Sequence, residues 1–377
     1  MEHYSIEIRS GYLLLHNVPY LNSARQVARG TLVSELTLVN NTTTTRPGSH
    51  VVFFTGEFPR NKDGSLVAGI QHGNGPQQLA PDIIVQHSFS NKPQTGYADY
   101  YAKMTRYAEI ISAPAKSIDP TLTEKTTTPV AEVTDPGVFQ YIDTNSSRAN
   151  VTAINAKLAD QKIAIVGLGG TGAYILDLVA KTPVQEIHLF DGDDFLQHNA
   201  FRSPGAASLA DLEQRSKKVE YYARVYSRMH KGIRAHPEYI SADNLSMMDG
   251  ASFVFLCVDR NKIRGMLAAH LTQRGISFVD VGMGVLTVDD CLIGTLRYTA
   301  GTAKKNDHLG LRLPAGGDDA DNPYSTNIQI ADLNALNAAF AVIKWKKLVG
   351  FYQDLEQEHH STYSINVAQL INEDCAA

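Results

Sequence analysis

One stretch constrains this chain more than any other: IAIVGLGGTGAYILDLVAKTPVQEIHLFDGD, residues 163 to 193. An apolar run ends in Gly167-x-Gly169-x-x-Gly172, with an extra glycine at 170, and an apolar helical segment follows. Glycines at this spacing let the backbone turn tightly and approach a phosphate, while the next helix points its free N–H groups at the anion. The next strand, EIHLF at 186 to 190, leads into Asp191. Strand, glycine loop, helix, strand and terminal acid together describe a βαβ nucleotide unit. The loop alone does not say which nucleotide, because Asp191 suits a ribose hydroxyl of NAD or of ATP alike.

The rhythm continues downstream. Strands are expected at 163–167, 186–190, 252–259 and 277–285, with helices at 172–181, 217–230 and 263–274. The spacing predicts an α/β fold, a Rossmann-like and mostly parallel sheet with its ligand at the carboxyl ends of the strands. "VLTVDDCLIGTLRYT" (285–299) reads as an antiparallel pair turned at Asp289-Asp290, and 331–348 as an amphipathic helix. Upstream, "GTLVSELTLV" (30–39) alternates, "HVVFFTGEFP" (50–59) is an apolar run stopped by Pro59, and Asp63-Gly64 marks a turn. Residues 96–114 place Tyr100, Met104, Tyr107, Ile110 and Ile111 at helical spacing. The organisation expected is a smaller α+β domain at 1–120, a Thr- and Pro-rich linker at 121–146, and the nucleotide-binding domain at 147–377.

Composition removes several classes of function. Lys+Arg 34 against Asp+Glu 39 argues against a broad nucleic-acid surface. The three cysteines, at 257, 291 and 375, form no close pair and no four-cysteine zinc spacing, which fits a reducing, cytoplasmic setting. The first residues do not read as a signal peptide, and no apolar stretch reaches the length of a membrane span.

The residues after Asp191 separate ATP from NAD. Asp193, Asn199 and Arg202 follow it, Lys217 and Lys218 head a helix, and Asp259 ends a strand with Arg264 a helical turn later. A triphosphate needs guanidinium and ammonium partners and Mg²⁺, whose preferred ligands are oxygens. Hydride transfer needs no such set. An NAD-dependent oxidoreductase would also need a proton relay, and Tyr221, Tyr222 and Lys218 stand in the wrong order for one. The same charged set argues against a regulatory module that has lost catalysis.

In these residues the chain resembles the ThiF/MoeB-type activating enzymes, which share an adenylation domain with ubiquitin-activating enzymes. The resemblance runs through GLGGTG (167–172), DGD (191–193), NAFR (199–202), KKVEYYA (217–223) and CVDRNKIR (257–264), and covers roughly residues 147 to 350. It implies ATP-dependent adenylation of a carboxylate, that of a ubiquitin-like protein or of a small-molecule or RNA-linked acid. It implies ATP on Gly167, Gly169, Gly170 and Gly172, with Asp191 on the ribose and Asp193 beside it. Asn199, Arg202 and Lys218 would surround the phosphates, and Asp259 would position Mg²⁺ and the reacting carboxylate. The family's arginine before the first strand often reaches into a partner's site. Arg148 is that candidate here, and together with the apolar helix 331–348 it suggests a homodimer.

Relatives that form a thioester carry a cysteine in their crossover loop. Residues 300–328, the corresponding segment, contain none. Cys257 lies in an apolar run, Cys291 in the expected hairpin and Cys375 in an acidic tail. Adenylation without a loop thioester is therefore expected. Residues 1–150 also lack cysteine, so the first domain reads as a recognition or docking domain. His87, His359 and His360 lack metal-ligand spacing and read as polar surface. Arg264 reads equally as a helix-surface ion pair or as part of the site, and Asn334 as a buried hydrogen-bonding residue or a lining of the substrate side.

Overall fold

A computed structural model describes residues 3–127, 137–314 and 328–376. Part of the expected linker (128–136) and part of the expected crossover segment (315–327) lie outside them. The chain divides into two compact units, Met1–Ala156 and Lys157–Ala377.

The first unit carries β1 (Ser5–Arg9), β2 (Tyr12–Leu21), β3 (Val27–Glu35), β4 (Leu38–Asn40), β5 (Thr43–Thr44), β6 (Val51–Thr55), β7 (Gln71–Ala80) and β8 (Ile83–Ser90). All but the small β4–β5 ribbon form one sheet in the order β1-β2-β3-β6-β8-β7, with every pairing antiparallel. Helix α1 (Tyr100–Lys116) starts where Asp99 accepts the Ala102 N–H at 2.7 Å, an N-cap. Its periodic face (Met104, Tyr107, Ala108, Ile111) packs on Leu13, Leu32, Phe54 and Phe89 of the sheet. An α+β architecture is what the alternating runs and the helical period dictated. Two short helices, α2 (Thr144–Arg148) and α3 (Thr152–Asn155), close this unit.

The second unit holds β9 (Lys162–Val166), α4 (Gly170–Val179), β10 (Glu186–Phe190), α5 (Gln197–Ala200), α6 (Leu209–Glu213), α7 (Lys218–Tyr226) and β11 (Ile233–His236). After these come β12 (Phe253–Leu256), α8 (Asn261–Arg274), β13 (Ser277–Val288), β14 (Cys291–Gly301), α9 (Leu309–Arg312), α10 (Ala331–Leu348), β15 (His360–Ser364) and β16 (Gln369–Glu373). They build an eight-stranded sheet, β11-β10-β9-β12-β13-β14-β15-β16. The five strands from β11 to β13 are parallel, and the last three are added antiparallel.

Both faces of the sheet are covered at β9 and β12, which is why these two central strands read as apolar runs, whereas β10 (EIHLF) keeps half-buried Glu186 and His188. Ile163 and Ile165 of β9 face α4, α7 and α10, whose Leu176, Tyr222 and Trp345 complete that layer. Ala164 and Val166 face the opposite way, toward Leu267 and Leu271 of α8. Helix α8 stops at Gly275 with φ +69°, a left-handed cap. The hairpin turns at Asp289 and Asp290, both with positive φ, as a two-residue type I′ turn requires. The apolar side of α10 is buried on its own sheet, so the expectation of a homodimer rests on Arg148 alone. Among the described residues no helix is long and apolar enough to cross a membrane.

The histidines correct the sequence reading. His359 and His360 are buried, not surface groups, and His87 is half-buried with its Nδ1 3.1 Å from Asn74 Oδ1. Burial pushes His230, His308, His359 and His360 below the ordinary imidazole range. His230 Nε2 donates to the Val184 carbonyl at 2.9 Å while Nδ1 accepts the Gly232 N–H at 3.0 Å, a bond that protonation destroys. His308 donates from Nε2 to Ala300, and its buried Nδ1 has no partner to receive a second proton. These groups are neutral in the fold, while an unfolded histidine titrates at about pH 6.5. Below that pH the unfolded chain binds more protons, so stability falls as the pH drops from about 6.5 through the depressed native values. Melting temperatures measured from pH 8 to pH 5 should decline across this window, and a flat profile would contradict the burial argument.

Candidate active site

The strand order β11-β10-β9-β12-β13 reverses between β9 and β12, so the chain leaves their carboxyl ends in opposite directions and opens a crevice there. The glycine loop sits at that point. Gly167 has φ +93°, and its N–H donates to the Phe190 carbonyl at 2.8 Å. A Cβ at Gly172 would stand 1.9 Å from the Gly167 oxygen, so the turn closes only with glycine at that position. Gly169 precedes the first turn of α4, and nothing lies within 4 Å of the place a Cβ on it would occupy. The first N–H groups of a helix have no intrahelical acceptor, so α4 offers donors and the positive end of its dipole to an anion.

Asp191, buried at the end of β10, is engaged with main-chain groups. Its Oδ2 accepts the Leu168 N–H at 2.7 Å, and its Oδ1 accepts the Asp193 N–H at 2.8 Å. The carboxylate thus ties the glycine loop to the DGD turn. Lys218 opens α7 beside it, with Nζ 2.6 Å from Asp193 Oδ2 and 3.5 Å from Asp191 Oδ2. Burial works against ionisation of Asp193, but hydrogen bonds from Lys218 and Tyr239 and the Lys218 charge hold its carboxyl below the usual range. Lys217, half-exposed, instead bridges Asp194 and the Gly192 carbonyl.

Arg202 lies just past α5, half-buried, and its Nε is a buried donor with no partner. A guanidinium nitrogen left in that condition is costly unless an acceptor arrives. Its main-chain carbonyl accepts Asn334 Nδ2 at 3.3 Å, which ties this segment to the first turn of α10. Asn199 is buried and accepts the Leu196 N–H through Oδ1 at 2.9 Å, fixing the turn that delivers Arg202. Asp259 stands exposed beyond β12, two residues past Cys257, whose carbonyl packs against Gly167.

These contacts join Gly167 to Gly172, Asp191, Asp193, Asn199, Arg202 and Lys218 into one connected group at one end of the sheet. Arg148 is an exposed residue at the end of α2, in the first unit.

Several contributors are invisible in the sequence. Tyr239, beyond β11, lays its ring where a side chain on Gly192 would go and donates its hydroxyl to Asp193 Oδ1. That bond pushes the Tyr239 hydroxyl up to about 12. Arg260, just before α8, rests over the same ring with its guanidinium 5.8 Å from the centroid. Arg264 is not a helix-surface group but a buried partner of the fully buried Asp280, Nε to Oδ1 2.8 Å. Arg297 pairs with the other oxygen of Asp280 at 2.8 Å. Arg264 also donates to the Val258 carbonyl at 2.5 Å and to Asn261 Oδ1, so the pair shapes the turn that presents Asp259.

Burial pushes the Cys257 thiol well above its ordinary value, which keeps it inert. Cys291 and Cys375 are exposed. Among the described residues, no group of three or more His, Cys, Asp or Glu side chains could hold a metal ion. Mg²⁺ that keeps its waters and binds phosphate oxygens needs only one or two carboxylates. The orphaned Arg202 donor, the open side of Gly169 and the N-terminus of α4 fit a triphosphate.

Parts of the chain are similar to known proteins. Residues 146–288 match the ThiF family, and residues 1–144 match a domain of unknown function, DUF6791. The ubiquitin-like modifier-activating enzyme 5 of Culex quinquefasciatus is 22% identical over 174 residues, 43% of this chain and 44% of that protein. The tRNA threonylcarbamoyladenosine dehydratase of Escherichia coli K12 is 26% identical over 133 residues, 33% of this chain and 47% of that one. The chain spans less than half the length of these curated relatives. Among solved structures, E. coli MccB with ATP is 16% identical and aligns with a TM-score of 0.47, over 62% of this chain and 72% of that one. The second unit is the one that carries the glycine loop, and residues 146–288 of this chain belong to the ThiF family.

Proposed function

We propose that the chain is an ATP-dependent adenylyltransferase that activates the C-terminal carboxylate of a ubiquitin-like protein as an acyl-adenylate, releasing pyrophosphate. The observation that carries this reading is the buried Arg202 Nε without an acceptor, in the connected group that also holds the open N-terminus of α4. In this reading the N–H groups of the Gly169–Gly170 turn take phosphate oxygens, and Asp191 holds the ribose. Arg202 and Lys218 balance the charge that builds as pyrophosphate leaves, with Asn199 keeping Arg202 in place. Asp259 orients the attacking carboxylate, and with its oxygen would hold Mg²⁺, which supplies further neutralisation of phosphate charge. No side-chain nucleophile is needed, since such transfers rest on positioning and electrostatic stabilisation. The first unit would recognise the partner protein. Arg148 would complete the site of a second copy in a homodimer, and sedimentation showing only monomer at high concentration would remove that role.

A second reading, activation of a small-molecule or RNA-linked carboxylate, draws on the likeness to the tRNA threonylcarbamoyladenosine dehydratases. ATP–pyrophosphate exchange decides between them. Exchange that depends on a ubiquitin-like protein with a free C-terminus is expected, and exchange driven only by small or RNA-linked acids would transfer the case to the second reading. ATP binding with no exchange on any carboxylate marks a regulatory module, and NAD binding without ATP binding an oxidoreductase.

A further inference from the structure

We propose that Asn334 is a positioning residue of the nucleotide site, and that position 170 is glycine because of it. This rests on the reading of the glycine loop and Arg202 as a triphosphate site. Asn334 is fully buried in the first turn of α10. Its Oδ1 accepts the Thr171 hydroxyl at 3.0 Å, and its Nδ2 donates to the Arg202 carbonyl at 3.3 Å. One neutral amide, able to donate and accept at once, therefore joins the start of α4 to the segment bearing Arg202. Gly170 lies directly against it: a Cβ there would stand 2.0 Å from Nδ2 and 2.4 Å from Cγ.

The two adjacent glycines consequently serve different ends. Position 169 leaves open space beside the helix N-terminus, where a phosphate can approach, whereas position 170 leaves room for Asn334. Asn334 touches no phosphate in this arrangement. It holds the groups that do, so it should matter for ligands that carry phosphate and not for those that lack it.

The test uses the full chain as wild type, Gly170→Ala, Asn334→Ala and the double variant. Calorimetric affinities for ATP and for adenosine, which has no phosphate, are read together with ligand-free melting temperatures. Asn334→Ala should weaken ATP about tenfold, as expected for loss of its hydrogen bonds, while adenosine affinity moves less than about twofold. Gly170→Ala should lower the melting temperature and weaken ATP further, and the double variant should return to the Asn334→Ala level in both. Equal losses for ATP and adenosine in Asn334→Ala would make the residue merely structural and overturn the positioning role. Gly170→Ala that binds ATP like wild type, or that is not relieved by Asn334→Ala, would overturn the reason given for the glycine. Wild-type protein that binds no ATP would remove the underlying reading and the positioning role with it, while coupling between positions 170 and 334 is still read from the melting temperatures.

Discussion

Arg202→Ala and Lys218→Ala are each expected to slow carboxylate-dependent ATP–pyrophosphate exchange by on the order of 10²-fold, the size of effect that loss of one donor aimed at transition-state charge produces. The two variants should differ in their ligand-free state. Arg202 Nε is buried without an acceptor, so its removal deletes an unsatisfied donor and should leave the melting temperature of the free protein unchanged or slightly raised. Lys218 sits 2.6 Å from Asp193 and 3.5 Å from Asp191, so its removal leaves two carboxylates side by side without their cation. Lys218→Ala should therefore melt earlier and bind ATP more weakly. Arg202→Lys keeps the charge and loses the planar fork, and should fall between wild type and Arg202→Ala. If both alanine variants exchange at the wild-type rate, neither residue faces the phosphates.

Asp280→Ala should carry the largest stability effect of any single substitution considered. Asp280 is fully buried between Arg264, itself buried, and the more exposed Arg297. Removing one partner of such a pair leaves an uncompensated buried charge and costs about 3–5 kcal/mol. For a unit of this size that is a fall on the order of 10 °C in melting temperature. Removing both buried charges, as in Asp280→Leu with Arg264→Met, should recover most of the loss, because an apolar pair avoids the desolvation of the ions. The single variant should also lose exchange activity, since Arg264 holds the Val258 carbonyl in the turn before Asp259. A melting temperature equal to wild type for Asp280→Ala would show that water reaches Arg264 in solution.

Much of the second unit could be read from the chain. Apolar runs announced β9 and β12, because strands covered on both faces have no polar alternation to blur them, while β10 (EIHLF) and β13 were marked by their place in the alternation of strands with helices. Asp289-Asp290 announced the hairpin, since those side chains tolerate positive φ better than most. The misses have equally local causes. β11 (IRAH) is too short to show a period, and β15 and β16 (HSTYS, QLINE) are polar edge additions without an apolar run. His359 and His360 looked like surface because nothing in their neighbours in sequence shows that His359 comes to lie against His308.

The site divides along the same line. The sequence by itself determined the glycine turn, the acid at the end of β10, the basic residues after it and the C-terminal end of α8. Each depends on φ, on residue type or on spacing along a single element. Only the tertiary structure decided that Asp280 neutralises Arg264, that Tyr239 holds Asp193 and that Asn334 requires a glycine at 170. Each of those contacts joins segments far apart in the chain, and strand order and helix placement, not residue type, bring the partners within hydrogen-bonding distance.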